Sequence, residues 1–161
     1  MGDIPSNKNM ISTIITYPVP GQILAAHAPF TVKFQTANLI AGSVTNPNAT
    51  LYSAPQAVKD GKVVGHVHVT IQSLVGVRGE NGDSVAITPP NPAEFAFFQT
   101  VFGAGDENDG LSVSMPKGLP AGFYRACTMV ATSNHQPVIM PVSASPPSQE
   151  LIAPKLTVST L

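Results

Sequence analysis

Two histidines separated by one residue, within an alternating segment, are the first candidates for chemistry in this chain. In residues 65–72 (GHVHVTIQ), valine and isoleucine alternate with polar side chains. A strand has a side-chain period of two, so His66 and His68 project from the same face. Two neutral imidazoles in this arrangement suit a divalent transition metal, provided that a third ligand arrives from elsewhere. Because they alternate with the apolar residues, we expect both histidines to lie outside the core.

A third histidine, His135, is the candidate for the remaining ligand. It lies in residues 133–137 (SNHQP), and its neighbours Asn134 and Gln136 are candidates to orient the imidazoles through hydrogen bonds. These residues indicate a three-histidine site for copper or zinc, or a histidine-lined pocket for a small molecule. The alternative is that the histidines are solvated or hydrogen-bonded surface residues without a shared role.

Two further residues are candidates for contact with a ligand. Phe97 belongs to the apolar run 95–98 (FAFF), whose length fits either a short helix or a strand. Such phenylalanines are core residues or line an apolar pocket beside the histidines. Arg125 is a lone charge in an apolar segment, where it either faces outward or binds an anionic group.

The elements that must position these residues read as strands. Apolar and β-branched runs recur between proline, glycine and asparagine punctuation, which is typical of an all-β sandwich or barrel. We predict an immunoglobulin-like antiparallel β-sandwich of about seven to nine strands. The predicted strands cover residues 10–17, 22–26, 29–37, 63–74, 110–115, 123–132, 138–142 and 156–160.

This topology also predicts how the histidines meet. We expect the long strand over 123–132 to pair beside the strand over 63–74, so that His135 emerges close to His66. The chain of 161 residues fits a single domain over 1–161. Within it, we expect residues 1–9 to be flexible and residues 143–154 to form a connector.

Composition excludes several classes of function. The formal net charge is −1, only 11% of residues are charged, and the eight lysines and arginines are scattered, which argues against a nucleic-acid partner. No apolar run is long enough to span a membrane. The first residues lack the charged and apolar regions of a signal peptide. A single cysteine forms no intrachain disulfide, and nothing indicates the oligomeric state.

Several separated motifs between residues 20 and 142 resemble a family of small, largely uncharacterised fungal proteins that are often secreted. They are YSAPQ (52–56), GHVHV (65–69), FAFF (95–98), LPAGFY (119–124) and NHQPV (134–138). The resemblance favours secretion or the cell surface over the cytoplasm, and it implies no activity.

Three functions remain open from the sequence. The first is a binding protein that holds copper or zinc through His66, His68 and His135. The second is a small-molecule enzyme, of the cyclase or isomerase type, in which these histidines act as acid and base in an apolar pocket. The third is a structural or adhesive protein without a site.

Overall fold

Strands make up the regular structure throughout the part of the chain that can be described. The computed structural model describes residues 2–46, 48–50, 53–74, 76–78, 84–86, 89–142 and 155–159. Its strands are β1 (Ser12–Tyr17), β2 (Ile23–Ala25), β3 (Phe30–Ala37), β4 (Leu39–Ile40), β5 (Ala57–Lys59), β6 (Lys62–Ser73), β7 (Gly76–Arg78), β8 (Ser84–Ala86), β9 (Phe97–Val101), β10 (Gly110–Met115), β11 (Gly122–Thr132) and β12 (Lys155–Ser159). Over these residues, no helix is long and apolar enough to cross a membrane.

The strands form two main sheets and a two-stranded antiparallel pair, β7–β8. One sheet has the order β1-β3-β10, and the larger has the order β2-β12-β11-β6-β4, with β5 and β9 also paired to β6. Most pairs are antiparallel, whereas β2–β12 and β4–β6 are parallel. The all-β class is therefore confirmed, and the immunoglobulin-like connectivity stays a prediction.

The core lies between these sheets. The apolar residues of the alternating segment in β6 are fully buried, and Val32 and Phe34 of β3 meet them from the other sheet. A hydrogen bond of 2.7 Å between the hydroxyls of Thr13 and Thr128 crosses from β1 to β11. The alternation in the sequence thus identifies the correct inward face of β6.

The pairing of β6 with β11 confirms the expected neighbours. The register runs from Ser73 opposite Tyr124 to Gly65 opposite Thr132, and it places Ala131 opposite His66. The strands approach closely at Gly65, where a Cβ atom would lie 2.1 Å from the carbonyl oxygen of Ala131. A residue without a side chain is therefore required immediately before His66.

The strand predicted over residues 138–142 is wrong. This part of the chain has no strand, and the nearest pairing is an isolated bridge between Ala131 and Pro137. The side chain of the buried Gln56 holds this segment instead. It donates to the carbonyl oxygen of Ile139 and accepts from the amide of Ile139. Gln56 also donates to the carbonyl oxygen of Asp3.

Two other predictions concern element boundaries. The run 95–98 enters a strand, because β9 begins at Phe97. Short strands β4 and β5 occur within residues 38–62, which the sequence presents mostly as loop. The connector expected over 143–154 lies outside the described residues.

We expect Gly65→Ala to lower the free energy of unfolding by about 1–3 kcal/mol, because the added methyl group forces β6 and β11 apart. Urea denaturation followed by far-UV circular dichroism measures this change. Gly103→Ala is the matched control, because its nearest neighbouring atom is 3.9 Å from the added Cβ. Equal losses in the two variants would contradict the close approach at Gly65.

Candidate metal centre

Three histidines from two distant parts of the chain meet at one end of the β6–β11 pair. His66, His68 and His135 each offer a ring nitrogen, and these nitrogens lie within 4.8 Å of one another. The centroid of the His66 ring lies 4.7 Å from that of His68 and 4.6 Å from that of His135. The expected approach of His135 to His66 is therefore present in the structure.

His66 and His68 lie on the face of β6 opposite the apolar core, as expected, yet both are buried. His66 is 0% exposed and His68 is 6% exposed. The reason is that β6 is covered on both faces. The other sheet covers its apolar face. The histidine face is in contact with the backbone of Ser43 and with the rings of Phe98 and His135. Period-two alternation gives the face of a residue but not what covers that face.

Hydrogen bonds fix the orientation of the two imidazoles on β6. Nδ1 of His66 lies 3.0 Å from the carbonyl oxygen of Ser43, and because a carbonyl only accepts, this nitrogen carries the proton. Nε2 of His66 is then an acceptor, so Nε2 of His68, 3.1 Å away, donates to it. Nδ1 of His68 in turn accepts from the hydroxyl of Thr100 at 2.9 Å. This assignment of protons describes the pair without a metal.

The spacing of these two nitrogens suits a shared metal ion. Two imidazole nitrogens bound tetrahedrally at ~2.05 Å from one ion lie about 3.3 Å apart. The distance between Nε2 of His66 and Nε2 of His68 is 3.1 Å. The pair therefore needs little movement to become two ligands of one ion.

A tight turn between Thr132 and Gln136 carries His135. The amide of His135 donates to the carbonyl of Thr132 at 3.0 Å, and the amide of Thr132 donates to the carbonyl of Gln136 at 2.9 Å. His135 has φ = 65°, in the left-handed region that histidine adopts more readily than most residues. Its Nε2 is buried and has no hydrogen-bond partner among the described residues, which costs about 1–3 kcal/mol for such a group.

A second loop ties this turn to the strand. The hydroxyls of Ser43 and Ser133 lie 2.7 Å apart, and Thr45 donates to the carbonyl of Ser133 through both its amide and its hydroxyl. Ser43 also donates its amide to the carbonyl of Gly65. One short segment after β4 therefore fixes His135 and His66 relative to each other.

The structure separates the phenylalanines of the run 95–98. Phe98 stacks on His68 with ring centroids 5.3 Å apart, and it also contacts Phe95 at 5.7 Å. Phe97, the residue predicted to contact a ligand, instead packs against the core. Ser43 and Thr100 are the site residues that sequence reasoning missed, because their positions depend on a loop and on the register of β9 rather than on any local pattern.

Among the described residues, the hydrogen bonds seen for Arg125 and Asn134 go to groups other than the imidazoles. Asn134 is buried, and its Oδ1 accepts from the amide of Gln136 and from the hydroxyl of Thr132, so it shapes the turn. The side chain of Gln136 is exposed. Arg125 lies opposite Gln72, toward the other end of β6, and donates to its Oε1 at 2.7 and 3.0 Å.

Burial keeps the strand imidazoles neutral. Burial is the main cause that lowers the pKa of His68 to about 4, and the neighbouring His66 and His135 lower it further. The pKa of His66 is also lowered, chiefly by burial, although its bond to the Ser43 carbonyl raises it in part. At neutral pH both residues therefore hold the uncharged form that binds metals.

We expect the metal-free protein to lose stability as the pH falls. The pKa of His68 drops from 6.5 to about 4 on folding, so between these values the unfolded chain binds a proton that the folded chain does not. The free energy of unfolding then falls by up to ~1.4 kcal/mol per pH unit across this window. Urea denaturation between pH 7 and pH 4 in EDTA measures the slope.

The matched variants for this profile are His68→Gln and His27→Asn. We expect the first to flatten the slope and the second to leave it unchanged, because His27 lies outside the cluster. An unchanged slope in His68→Gln would show that another group causes the pH dependence.

Comparisons with known proteins agree with a fungal origin for this domain. Residues 13–154 match the family model of the CLU5d N-terminal domain. The chain is 48% identical over 147 residues to "Pathogenicity cluster 5 protein d" of Colletotrichum graminicola, an alignment that covers 89% of this chain and 29% of that relative. The chain thus spans less than a third of the relative's length. No solved structure matches. By the extent of its match to the family model, the chain belongs to the CLU5d N-terminal domain family.

Proposed function

We propose that this domain binds a transition-metal ion, copper or zinc, through His66, His68 and His135. The observation that supports this most directly is the convergence of three ring nitrogens within 4.8 Å. In addition, Nε2 of His135 is buried and has no hydrogen-bond partner among the described residues. A bound ion would remove the cost of that unpaired nitrogen and replace the single hydrogen bond between His66 and His68.

The donor set fits these ions better than it fits hard cations. The group contains three histidines and, within the described residues, neither a carboxylate nor a thiolate. Imidazole ligands suit zinc and copper, whereas magnesium, calcium and manganese prefer oxygen. Three protein ligands leave a position for water or for a small molecule.

Thr100 gives the site a way to change its proton arrangement. For Nε2 of His68 to bind an ion, its proton must move to Nδ1, which then donates to the hydroxyl of Thr100. A hydroxyl both donates and accepts, so the bond of 2.9 Å survives this exchange with its direction reversed. Metal binding at Nε2 therefore keeps the hydrogen bond between His68 and Thr100.

A second candidate function is acid–base catalysis on a small apolar molecule. Phe98 connects His68 to Phe95, which lines an open cleft of about 470 Å³ together with Ser73, Pro89, Pro90, Asn91, Glu94 and Ala96. His68 does not line this cleft, so a small molecule would have to reach past Phe98 for the neutral imidazole to act on it as a base. This function gains support if the wild-type protein binds no metal while Phe98→Ala weakens the binding of small aromatic probes measured by ligand-observed NMR.

We expect Thr100→Val to weaken metal binding by about 10–100-fold, because loss of a hydrogen-bond partner of a ligating histidine has effects of this size. Valine keeps the branched shape of threonine on the strand. Competition against a chromophoric zinc chelator measures the affinity. Wild-type affinity in this variant would contradict the role of Thr100.

We expect the purified protein to bind about one ion per chain after exposure to copper or zinc and removal of the excess. Elemental analysis measures the content. At a free metal concentration ~100 times the Kd, bound metal adds about 2.7 kcal/mol to the free energy of unfolding, so the Tm rises as well. The double variant His66→Ala/His68→Ala is expected to lose both the metal and the rise in Tm.

The chain offers a matched pair of controls for His135. His27 and His135 both have left-handed backbones, with φ of 58° and 65°, and asparagine tolerates this conformation. We expect His135→Asn to weaken metal binding and His27→Asn to leave it unchanged. No bound metal in the wild-type protein, with either ion, would overturn the proposed function.

A further inference from the structure

One sulfur-bearing side chain lies beside the histidines on the same face of the large sheet. The register of β6 and β11 places Met129 directly opposite His68 and Ala131 opposite His66. Side chains at directly opposite positions of an antiparallel pair project to the same side, with Cβ atoms about 4.5–5.5 Å apart. Met129 therefore flanks His68 on one side, and Thr100 of β9 flanks it on the other.

Met129 differs from the methionines that serve the core. Met115 is buried within the core, and Met140 packs against it. Met129 is half-buried and lies on the opposite face of the sheet from the core. Ala131, its neighbour on that face, has a short side chain, whereas the methionine side chain is long, unbranched and adaptable.

A thioether in this position changes which ion the site prefers. Thioether sulfur is a soft donor that selects Cu(I), whereas zinc sites use imidazole, thiolate and carboxylate. Cys127 lies one position further along the same face, opposite Thr70. It does not join the ligand group, which among the described residues consists of the histidines alone.

The charge of the donor set favours the same ion. Imidazole and thioether are both neutral, so a bound ion keeps its full charge in a buried site. Burial without compensating charges penalises a divalent ion more than a monovalent one. Since the group includes no carboxylate, Cu(I) is held at a lower electrostatic cost than Zn(II).

We propose that Met129 supplies a thioether ligand to the histidine site and that the site is therefore selective for copper in its reduced, monovalent state. This inference rests on the proposed metal site and names its ion. It assigns to Met129 a direct contact with the metal, so the effect of removing the sulfur must differ between Cu(I) and Zn(II).

The test compares two ions and two methionines. The affinity of the wild-type protein for Cu(I) is measured anaerobically, by competition with a chromophoric Cu(I) chelator, and the affinity for Zn(II) by competition with a zinc chelator. Met129→Leu and the core control Met115→Leu both preserve volume, so both are expected to fold. We expect Met129→Leu to weaken Cu(I) binding about tenfold or more while leaving Zn(II) binding nearly unchanged, and Met115→Leu to change neither.

X-ray absorption at the copper edge tests directly whether a sulfur atom binds the copper ion. We expect a sulfur scatterer in the first shell of the Cu(I)-loaded wild-type protein and its loss in Met129→Leu. Absence of sulfur, or equal weakening of both ions by Met129→Leu, would overturn the inference and leave the histidine site intact. Failure of the wild-type protein to bind either ion would overturn the proposed function and this inference with it.

Discussion

The contact between Nε2 of His66 and Nε2 of His68, 3.1 Å apart in a buried setting, is the constraint on which the site depends. Two buried nitrogens at this distance must share a proton or an ion, because two facing lone pairs or two facing protons would repel each other. Ser43 decides which nitrogen of His66 carries its proton, and Thr100 accommodates either arrangement of His68. In the metal-free pair, the hydrogen bonds with Ser43 and Thr100 therefore determine which ring nitrogens carry protons.

This contact is possible because β6 is paired on both sides and covered on both faces. Its long pairing with β11 and the close approach at Gly65 hold the backbone. The segment from Ser43 to Thr45 then connects the strand to the turn that carries His135. The third histidine is therefore held by hydrogen bonds between loops, whereas the first two are held by the sheet.

The sequence supports the strand, the inward face and the meeting of His135 with His66, because each follows from alternation and from the pairing of two long strands. The sequence does not predict that the histidines are buried, since the groups that cover them come from residues far away in the chain. For the same reason, the sequence does not decide which phenylalanine of the run 95–98 lies beside the histidines. Neighbouring residues of a strand face opposite sides, so the register of β9, rather than the apolar run itself, decides that Phe98 meets His68.

The segment after His135 shows a different limit. Residues 138–142 are apolar and β-branched enough to indicate a strand, yet no strand edge within the described part of the chain pairs with them. The backbone groups of Ile139 are satisfied by the side chain of Gln56 instead. A single buried glutamine thus replaces a strand partner, and local propensity contains no information about such a replacement.

The sheet holds His66 and His68, whereas hydrogen bonds between loops hold His135, and this difference affects metal binding. Ligands that are already placed by a sheet lose little conformational freedom when an ion binds, so more of the interaction energy appears as affinity. His66 and His68 meet this condition, because their nitrogens already have nearly the spacing of two ligands on one ion. His135 is held differently, since it lies on a turn outside the strands and its ring nitrogen lies within 4.8 Å of the other two. Adjustment on binding therefore falls on the turn between Thr132 and Gln136, while the strand provides the fixed part of the site.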